Sequence, residues 1–339
     1  MSDLKIFMNQ LADGATLSRQ QAREAFGIIM SGSATPAQTG AFLMALRLRG
    51  ETVDELIAAV EVLREKMLHI KAPAMAIDTC GTGGDAKGTL NISTAAAIVA
   101  ASAGAIVAKH GNRAVSSKSG SADVLQELGI DLDAELPLVE RALREAHITF
   151  LMAPRHHAAM RHVASARGEL GIRTIFNLVG PLANPAGVTR QILGVFSPHW
   201  VEPLAEVLLA LGTKKAWVVH GAGGLDELSL AGVNKVAEIA RGKITCFEIR
   251  PEDAGLPKTP NGALRGGTPK TNARKLRALL EGKFGPYRDV VLMNAGAALM
   301  IAGKAGDLKG GVKLAASAID RGRARATLNK WLAITQARG

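Results

Sequence analysis

The sequence predicts an α/β protein in two parts: a small all-helical domain, then a larger α/β domain with a mostly parallel central sheet flanked by helices. Two observations carry this. The first 72 residues hold three helix-opening capping boxes and no strand-like alternation. From Pro73 onwards, short aliphatic runs end in glycine-rich loops and lead into helical stretches, the pattern of parallel strands with crossover helices. The expected division is a helical domain over 1–72, completed by residues at about 160–190, and an α/β domain over 73–339.

The capping boxes are Ser18–Gln21, Thr35–Gln38 with Pro36 at the first helical position, and Thr52–Glu55. In each, a hydroxyl accepts from a backbone amide and the Gln or Glu three residues on reciprocates. Leu56, Val60, Leu63 and Met67 then share one helical face. Expected strands are Ala74–Thr79, Ala105–Lys109, Ile148–Ala153, Gln191–Phe196 and Ala216–His220. A helical piece over Arg155–Leu178 interrupts them with a spacing that suits a return to the helical layer. Val236–Ala240 and Ile244–Ile249 read as an antiparallel hairpin, and Pro257–Pro269 as an irregular loop. Closing helices fall around Asn272–Leu280, Val290–Ala302 and Leu308–Ala333.

Of 339 residues, 47% are hydrophobic and 21% charged, which provides for a substantial core and excludes disorder as the main state. The formal charge of +11 raises the question of a polyanionic partner, but it is unevenly placed. Met1–Leu256 balances at −1, whereas Pro257–Gly339 holds 16 basic and 4 acidic residues. Arg274, Lys275, Arg277, Arg321, Arg323 and Arg325 lie in that last quarter with few aromatics, so a solvated or subunit-facing surface is expected there rather than nucleic-acid binding. Cys80 and Cys246 form no CxxC pair, which excludes a readable disulfide framework or thiolate zinc site. The longest apolar stretches, Ala95–Ala108 and Val290–Ala302, are too short to span a membrane. The expectation is a soluble, cytoplasmic protein.

Two strand-to-helix loops, the helix start that follows the first of them, and one acidic pair carry the chemistry. In Asp78–Asp85 (DTCGTGGD), Gly81, Gly83 and Gly84 let backbone N–H groups approach an anion closely. The segment fits a dinucleotide GxGxxA pattern formally, but Lys87 and Gly88 delay the helix and no acid lies between Asp85 and Asp123, which excludes that reading. Thr89–Thr94 opens an apolar helix, with Ser93 or Thr94 as the expected N-cap facing the glycine loop. Lys109–Asp123 (KHGNRAVSSKSGSAD) crowds two lysines, an arginine, a histidine, an asparagine and four serines into Lys109–Ser121, an inventory suited to a polyphosphate. Asp226 and Glu227, after a further strand, are the plausible carboxylates for a divalent ion that offsets such charge. His156, His157 and His162 lack zinc-ligand spacing, and neither HExxH nor GxSxG occurs.

Together with Asn91–Thr94 (NIST), Gly171–Pro185 (GIRTIFNLVGPLANP) and Met293–Ala305 (MNAGAALMIAGKA), these segments resemble the anthranilate phosphoribosyltransferases of tryptophan biosynthesis over nearly the whole chain. The resemblance implies a homodimer through the helical domain. It also implies transfer of phosphoribose from 5-phosphoribosyl 1-pyrophosphate to the amine of anthranilate, with Mg2+ as cofactor and no membrane or nucleic-acid partner. By matching position, Gly81, Gly84, Asp85, Thr89, Asn91, Ile92, Ser93, Thr94, Lys109, His110, Gly111, Asn112, Arg113, Ala114, Val115, Ser116, Ser117 and Ser121 would bind the donor. Ser93, Asp226 and Glu227 would hold the metal. Gly81, Asn112 and Arg167 would contact anthranilate, with His110, Pro154 and His157 along its route, and Lys109, Asn112 and Arg167 are the expected catalytic residues. Lys87, Leu90 and the segment after Gly267 depart from the family pattern without touching those positions. The rival readings are a pyrimidine nucleoside phosphorylase, against which the acidic pair and the full KHGNRA loop argue, and a non-catalytic nucleic-acid-binding relative, which should have lost them.

Overall fold

The structure, a computed structural model, describes residues 3–85, 87–114 and 118–337. The chain opens with α1 (Leu4–Ala12), α2 (Arg19–Met30), α3 (Pro36–Arg49) and α4 (Val53–Lys66). The three boxes at Ser18, Thr35 and Thr52 are all formed, and Asp3 caps α1 by accepting from Lys5 N–H. The later helices are α5 (Ile92–Ser102), α6 (Ser121–Leu128), α7 (Leu136–Glu145), α8 (Ala153–His156), α9 (Arg161–Leu170) and α10 (Ile175–Val179). They are followed by α11 (Val201–Ala210), α12 (Pro269–Leu280), α13 (Pro286–Ile301), α14 (Leu308–Asp320) and α15 (Arg323–Thr335).

Two expected helices divide. Arg155–Leu178 becomes α8, a 3-10 turn at Ala158–Met160, α9 and α10, with α9 stopping at Gly171 in the left-handed conformation. Leu308–Ala333 becomes α14 and α15, parted at Gly322 with φ +72. In both cases a glycine takes a conformation that an L side chain resists.

The helices α9 and α10 pack on α2, α3 and α4. An aromatic cluster holds this junction: Phe26 lies edge-to-face with Phe42 at 5.5 Å and with Phe176 of α10 at 6.1 Å. Phe26 is 1% exposed. Phe26→Ala is expected to cost about 3–5 kcal/mol of stability, read as a lower denaturant midpoint at unchanged slope.

The strands among the described residues are, in chain order, β1 (Asp78–Gly81), β2 (Val107–Gly111), β3 (Ile148–Met152), β4 (Arg190–Gly194), β5 (Lys215–His220), β6 (Asn234–Ala240) and β7 (Lys243–Ile249). The first starts later than the expected Ala74, because Pro73 accepts from Ala76 N–H and closes a turn. One sheet runs β1-β4-β5-β6-β7, and β2 pairs with β3; a parallel bridge between Ile77 and Val107 joins the two. The pairs through β5 are parallel and the β6 and β7 pairs antiparallel, so the sheet is mixed with a parallel core. Parallel strands put their carboxyl ends on one edge, and that edge receives the glycine-containing loops after β1, β2 and β5. Behind it, the almost wholly apolar α5 and α13 pack together and fill the core. Among the described residues, no helix is long and apolar enough to cross a membrane.

Candidate active site

The loop after β1 folds over the acidic pair. Gly83 and Gly84 have φ of +66 and +73, and Gly83 N–H donates to Asp226 Oδ2 at 2.8 Å. A Cβ on Gly81 would lie 2.8 Å from the same oxygen. From the other side, Ser93 N–H in the first turn of α5 donates to Glu227 Oε1 at 3.2 Å. Asn294 of α13 pins the next residue by accepting from Leu228 N–H and donating to Leu228 O, at 3.1 and 2.9 Å. Glycine loop, helix N-terminus and carboxylates therefore meet at one place.

These carboxylates are crowded. Burial, with the charge of Asp85 adding, raises Asp226 to about 7; burial and then Asp226 raise Glu227 to about 8. Glu227 Oε2 and Asp85 Oδ2 are buried without hydrogen-bond partners. Such oxygen-only, charge-frustrated acceptors fit a hard divalent cation, which relieves both the repulsion and the unmet acceptors. Among the described residues, no group of three or more His, Cys, Asp or Glu is poised to hold a metal.

The helix cap differs from expectation. Asn91, not Ser93 or Thr94, is the N-cap of α5, and its side chain does not cap. Asn91 Nδ2 instead donates to Ser119 O at 3.2 Å, and its Oδ1 accepts from Asn272 Nδ2 at 2.9 Å. Tyr287 Oη donates to Asn91 O at 3.1 Å. With no side chain capping it, the first turn of α5 gives its Ser93 N–H to Glu227. Ile92 is buried there, and Thr94 Oγ1 is buried without a partner. Thr89 bridges to Arg265, and Leu90 is buried with its N–H on Leu264 O at 2.9 Å.

Within β2, Lys109 and His110 are buried, and Lys109 Nζ donates to Thr79 O. A Cβ on Gly111 would meet Ser121 Oγ at 2.5 Å, and Ser121 Oγ donates to Asn112 O at 3.2 Å. Asp123 braces the loop by accepting from Ala114 N–H and Gly120 N–H at 3.0 and 2.8 Å. Arg113 turns to Asp123 and Gln126 rather than to the acidic pair. Val115, Ser116 and Ser117 lie outside the described residues.

A second cluster is drawn from β2, α8 with its C-cap His157, and α9. The rings of His110 and His157 stand 5.1 Å apart, with His110 Nε2 and both His157 nitrogens buried and unpartnered. Burial, aided by neighbouring histidines, holds His110 well below its ordinary value and His157 at about 4, so both are neutral near pH 7. Pro154 sits in α8 just before His157. Arg167, on α9, stacks over Phe176 at 5.6 Å, and no carboxylate among the described residues pairs with it. A partly buried cation without a counterion suits a ligand carboxylate.

Sequence reasoning missed several members. Arg173 Nη2 donates to Gly84 O while its guanidinium lies 4.2 Å over Phe196, so it clamps the glycine loop. Its place in GIRT was the available signal. Asn272 and Tyr287 act from more than 180 residues away with no sign of it in their local sequence, whereas Asn294, 66 residues from Leu228, lies in the MNAGAALMIAGKA stretch. Lys87, a departure from the family pattern, lies over the turn before the acidic pair, its Nζ 3.4 Å from where a Gly224 Cβ would stand.

A helical bundle set beside an α/β sheet whose crevice gathers anion loops and an acidic pair is the build of a glycosyl-transferring enzyme. Residues 5–67 match the helical bundle domain of the glycosyl transferase family, and residues 73–325 match its a/b domain. The chain is 58% identical to the anthranilate phosphoribosyltransferase of Rhodospirillum rubrum, over 98% of this chain and 96% of that one. The crystal structure of the anthranilate phosphoribosyltransferase from Thermus thermophilus superposes with a TM-score of 0.92 at 44% identity, covering 97% and 99% of the two chains. The Saccharomyces cerevisiae enzyme in complex with PRPP and Mg superposes with a TM-score of 0.89 at 29% identity, covering 98% and 97%. The chain belongs to the anthranilate phosphoribosyltransferase family.

Proposed function

We propose that the chain transfers phosphoribose from 5-phosphoribosyl 1-pyrophosphate to anthranilate, giving N-(5-phosphoribosyl)anthranilate and pyrophosphate in tryptophan biosynthesis. The observation that carries this reading is the convergence of the Gly83 amide and the Ser93 amide on Asp226 and Glu227. It puts two anion-binding backbone segments beside the acidic pair.

In this reading, the Gly81–Gly84 loop and the N-terminal turn of α5, with Asp85, Thr89, Asn91, Ile92, Ser93 and Thr94, hold the donor. Lys109 stands at the crevice to offset charge on the departing pyrophosphate. Residues Lys109–Ser117 and Ser121 complete the donor cradle. Ser93, Asp226 and Glu227 would hold Mg2+, with Asp85 alongside. When bound, that ion neutralises pyrophosphate charge and so improves the leaving group.

Arg167 pairs with the anthranilate carboxylate. Gly81 and Asn112 orient the amine, and the neutral His110 and His157 rings with Pro154 line its route. The C1–O bond to pyrophosphate breaks, the amine nitrogen forms the C1–N bond on the opposite face, and the amine then releases a proton. The aromatic amine is already neutral, so orientation and electrostatics carry the step and no general base is assigned. We also propose a cytoplasmic homodimer through the helical domain; Ile6 and Leu48, exposed on the neighbouring helices α1 and α3, support that surface.

The test follows anthranilate fluorescence. Signal loss is expected to require both 5-phosphoribosyl 1-pyrophosphate and magnesium, and loss without either one overturns the reading. Arg167→Ala removes one charge-assisted contact and is expected to raise KM for anthranilate by about 10- to 100-fold, with donor KM nearly unchanged. An equal rise for both substrates would remove Arg167 from the acceptor site.

A further inference from the structure

The strands β1 and β2 start as neighbours and then part. Ile77 N–H donates to Ile106 O at 2.8 Å and Ile77 O accepts from Ala108 N–H at 2.9 Å, a regular parallel rung. Continued by two residues, that ladder would pair Thr79 N–H with Ala108 C=O and His110 N–H with Thr79 C=O. Side chains take three of these four groups instead. His110 N–H donates to Asp78 Oδ1 at 3.1 Å, Asn184 Nδ2 donates to Ala108 O at 2.8 Å, and Lys109 Nζ donates to Thr79 O.

Asn184 Nδ2 also donates to Asp78 Oδ2 at 2.7 Å, so the two side chains form one wedge at the point where the sheet opens. Both are buried, at 0% and 4% exposure. A buried carboxylate met at both oxygens leaves a costly unpaired group if either donor is removed. Asn184 lies in GPLANP, a motif to which the functional reading gives no role. The same stretch is tied to the helical part: Arg64 Nε and Nη2 donate to Leu182 O at 3.0 and 2.7 Å, and Ile70 N–H donates to Pro185 O at 3.1 Å.

We propose that Asp78 and Asn184 are positioning residues whose wedge sets the gap between the β1 and β2 loops and holds Lys109 at it, with GPLANP carrying that setting to the helical domain. The proposal rests on the reading of those loops as the donor site. Neither residue touches the reacting atoms; both act through His110 N–H and the strand ends.

Amide exchange and kinetics on full-length Asn184→Ala test it. Peptides covering 107–111 should exchange about tenfold or more faster, while those covering 215–220 and 234–240 keep wild-type rates. KM for 5-phosphoribosyl 1-pyrophosphate should rise about tenfold or more, with a clearly smaller rise for anthranilate, whose carboxylate partner Arg167 lies on α9. If Asn184→Ala is recovered unfolded, the near-isosteric Asp78→Asn, which turns an acceptor into a donor, should give the same signature. Uniform acceleration across the sheet, or equal shifts in both KM values, would reduce the wedge to general packing and overturn the proposal. If the wild type consumes no anthranilate, the functional reading fails instead, and the exchange experiment still decides whether the wedge holds the strands.

Discussion

Gly194→Ala is expected to lower kcat/KM by at least about a hundredfold, because misplacing reacting groups by an ångström costs on that order. A Cβ at Gly194 would stand 1.5 Å from Asp226 O and 2.4 Å from its carbonyl carbon. Both are backbone atoms, so no side-chain rotation relieves the clash. The 226–227 segment has to move, carrying both carboxylates off the Gly83 and Ser93 amides. Gly221 repeats the constraint at the end of β5, where a Cβ would lie 2.1 Å from Glu227 O. Paired measurements of kcat/KM and Tm check this, with activity falling far more than stability. Activity within a few-fold of wild type would mean that the pair need not sit where the structure places it.

Asp226→Ala is expected to raise the magnesium concentration for half-maximal rate by about 10- to 100-fold, since ligand charge sets the affinity of a hard-cation site. Asp226→Asn separates two roles, because it keeps an oxygen for Gly83 N–H but loses the charge. The metal requirement should also steepen at lower pH. Asp226 at about 7 and Glu227 at about 8 hold protons that a cation has to displace, so loading weakens as pH falls through that range. A magnesium titration of each variant at two pH values tests this. Unchanged dependence in Asp226→Ala would take the residue out of the metal site.

What the sequence made legible was local. Capping boxes, glycine-ended strands and the adjacent Asp226 and Glu227 are written in consecutive residues, and their signals need no partner to be read. The first strand was misplaced because a turn closing on Pro73 takes residues that look like strand. Asn91 was passed over as a cap because a cap is recognised by its neighbours, whereas its side chain is spent on Ser119 and Asn272. Arg173 on Gly84, Tyr287 on Asn91 and Asn184 on Asp78 join segments about 90 to 200 residues apart, beyond any local pattern. Charge behaved similarly. The basic side chains described in the last quarter are exposed, apart from Arg288, which is buried against Asp320, whereas residues 78–130 carry four basic and four acidic side chains. Placed donors, rather than bulk charge, suit the anion at the crevice.

The central claim is that this crevice breaks the donor's C1–O bond only to make the C1–N bond to anthranilate. Measuring pyrophosphate release and anthranilate consumption in one reaction tests it most directly. The account predicts equal amounts of both, and neither when magnesium or anthranilate is withheld. Pyrophosphate released without anthranilate consumed would contradict it.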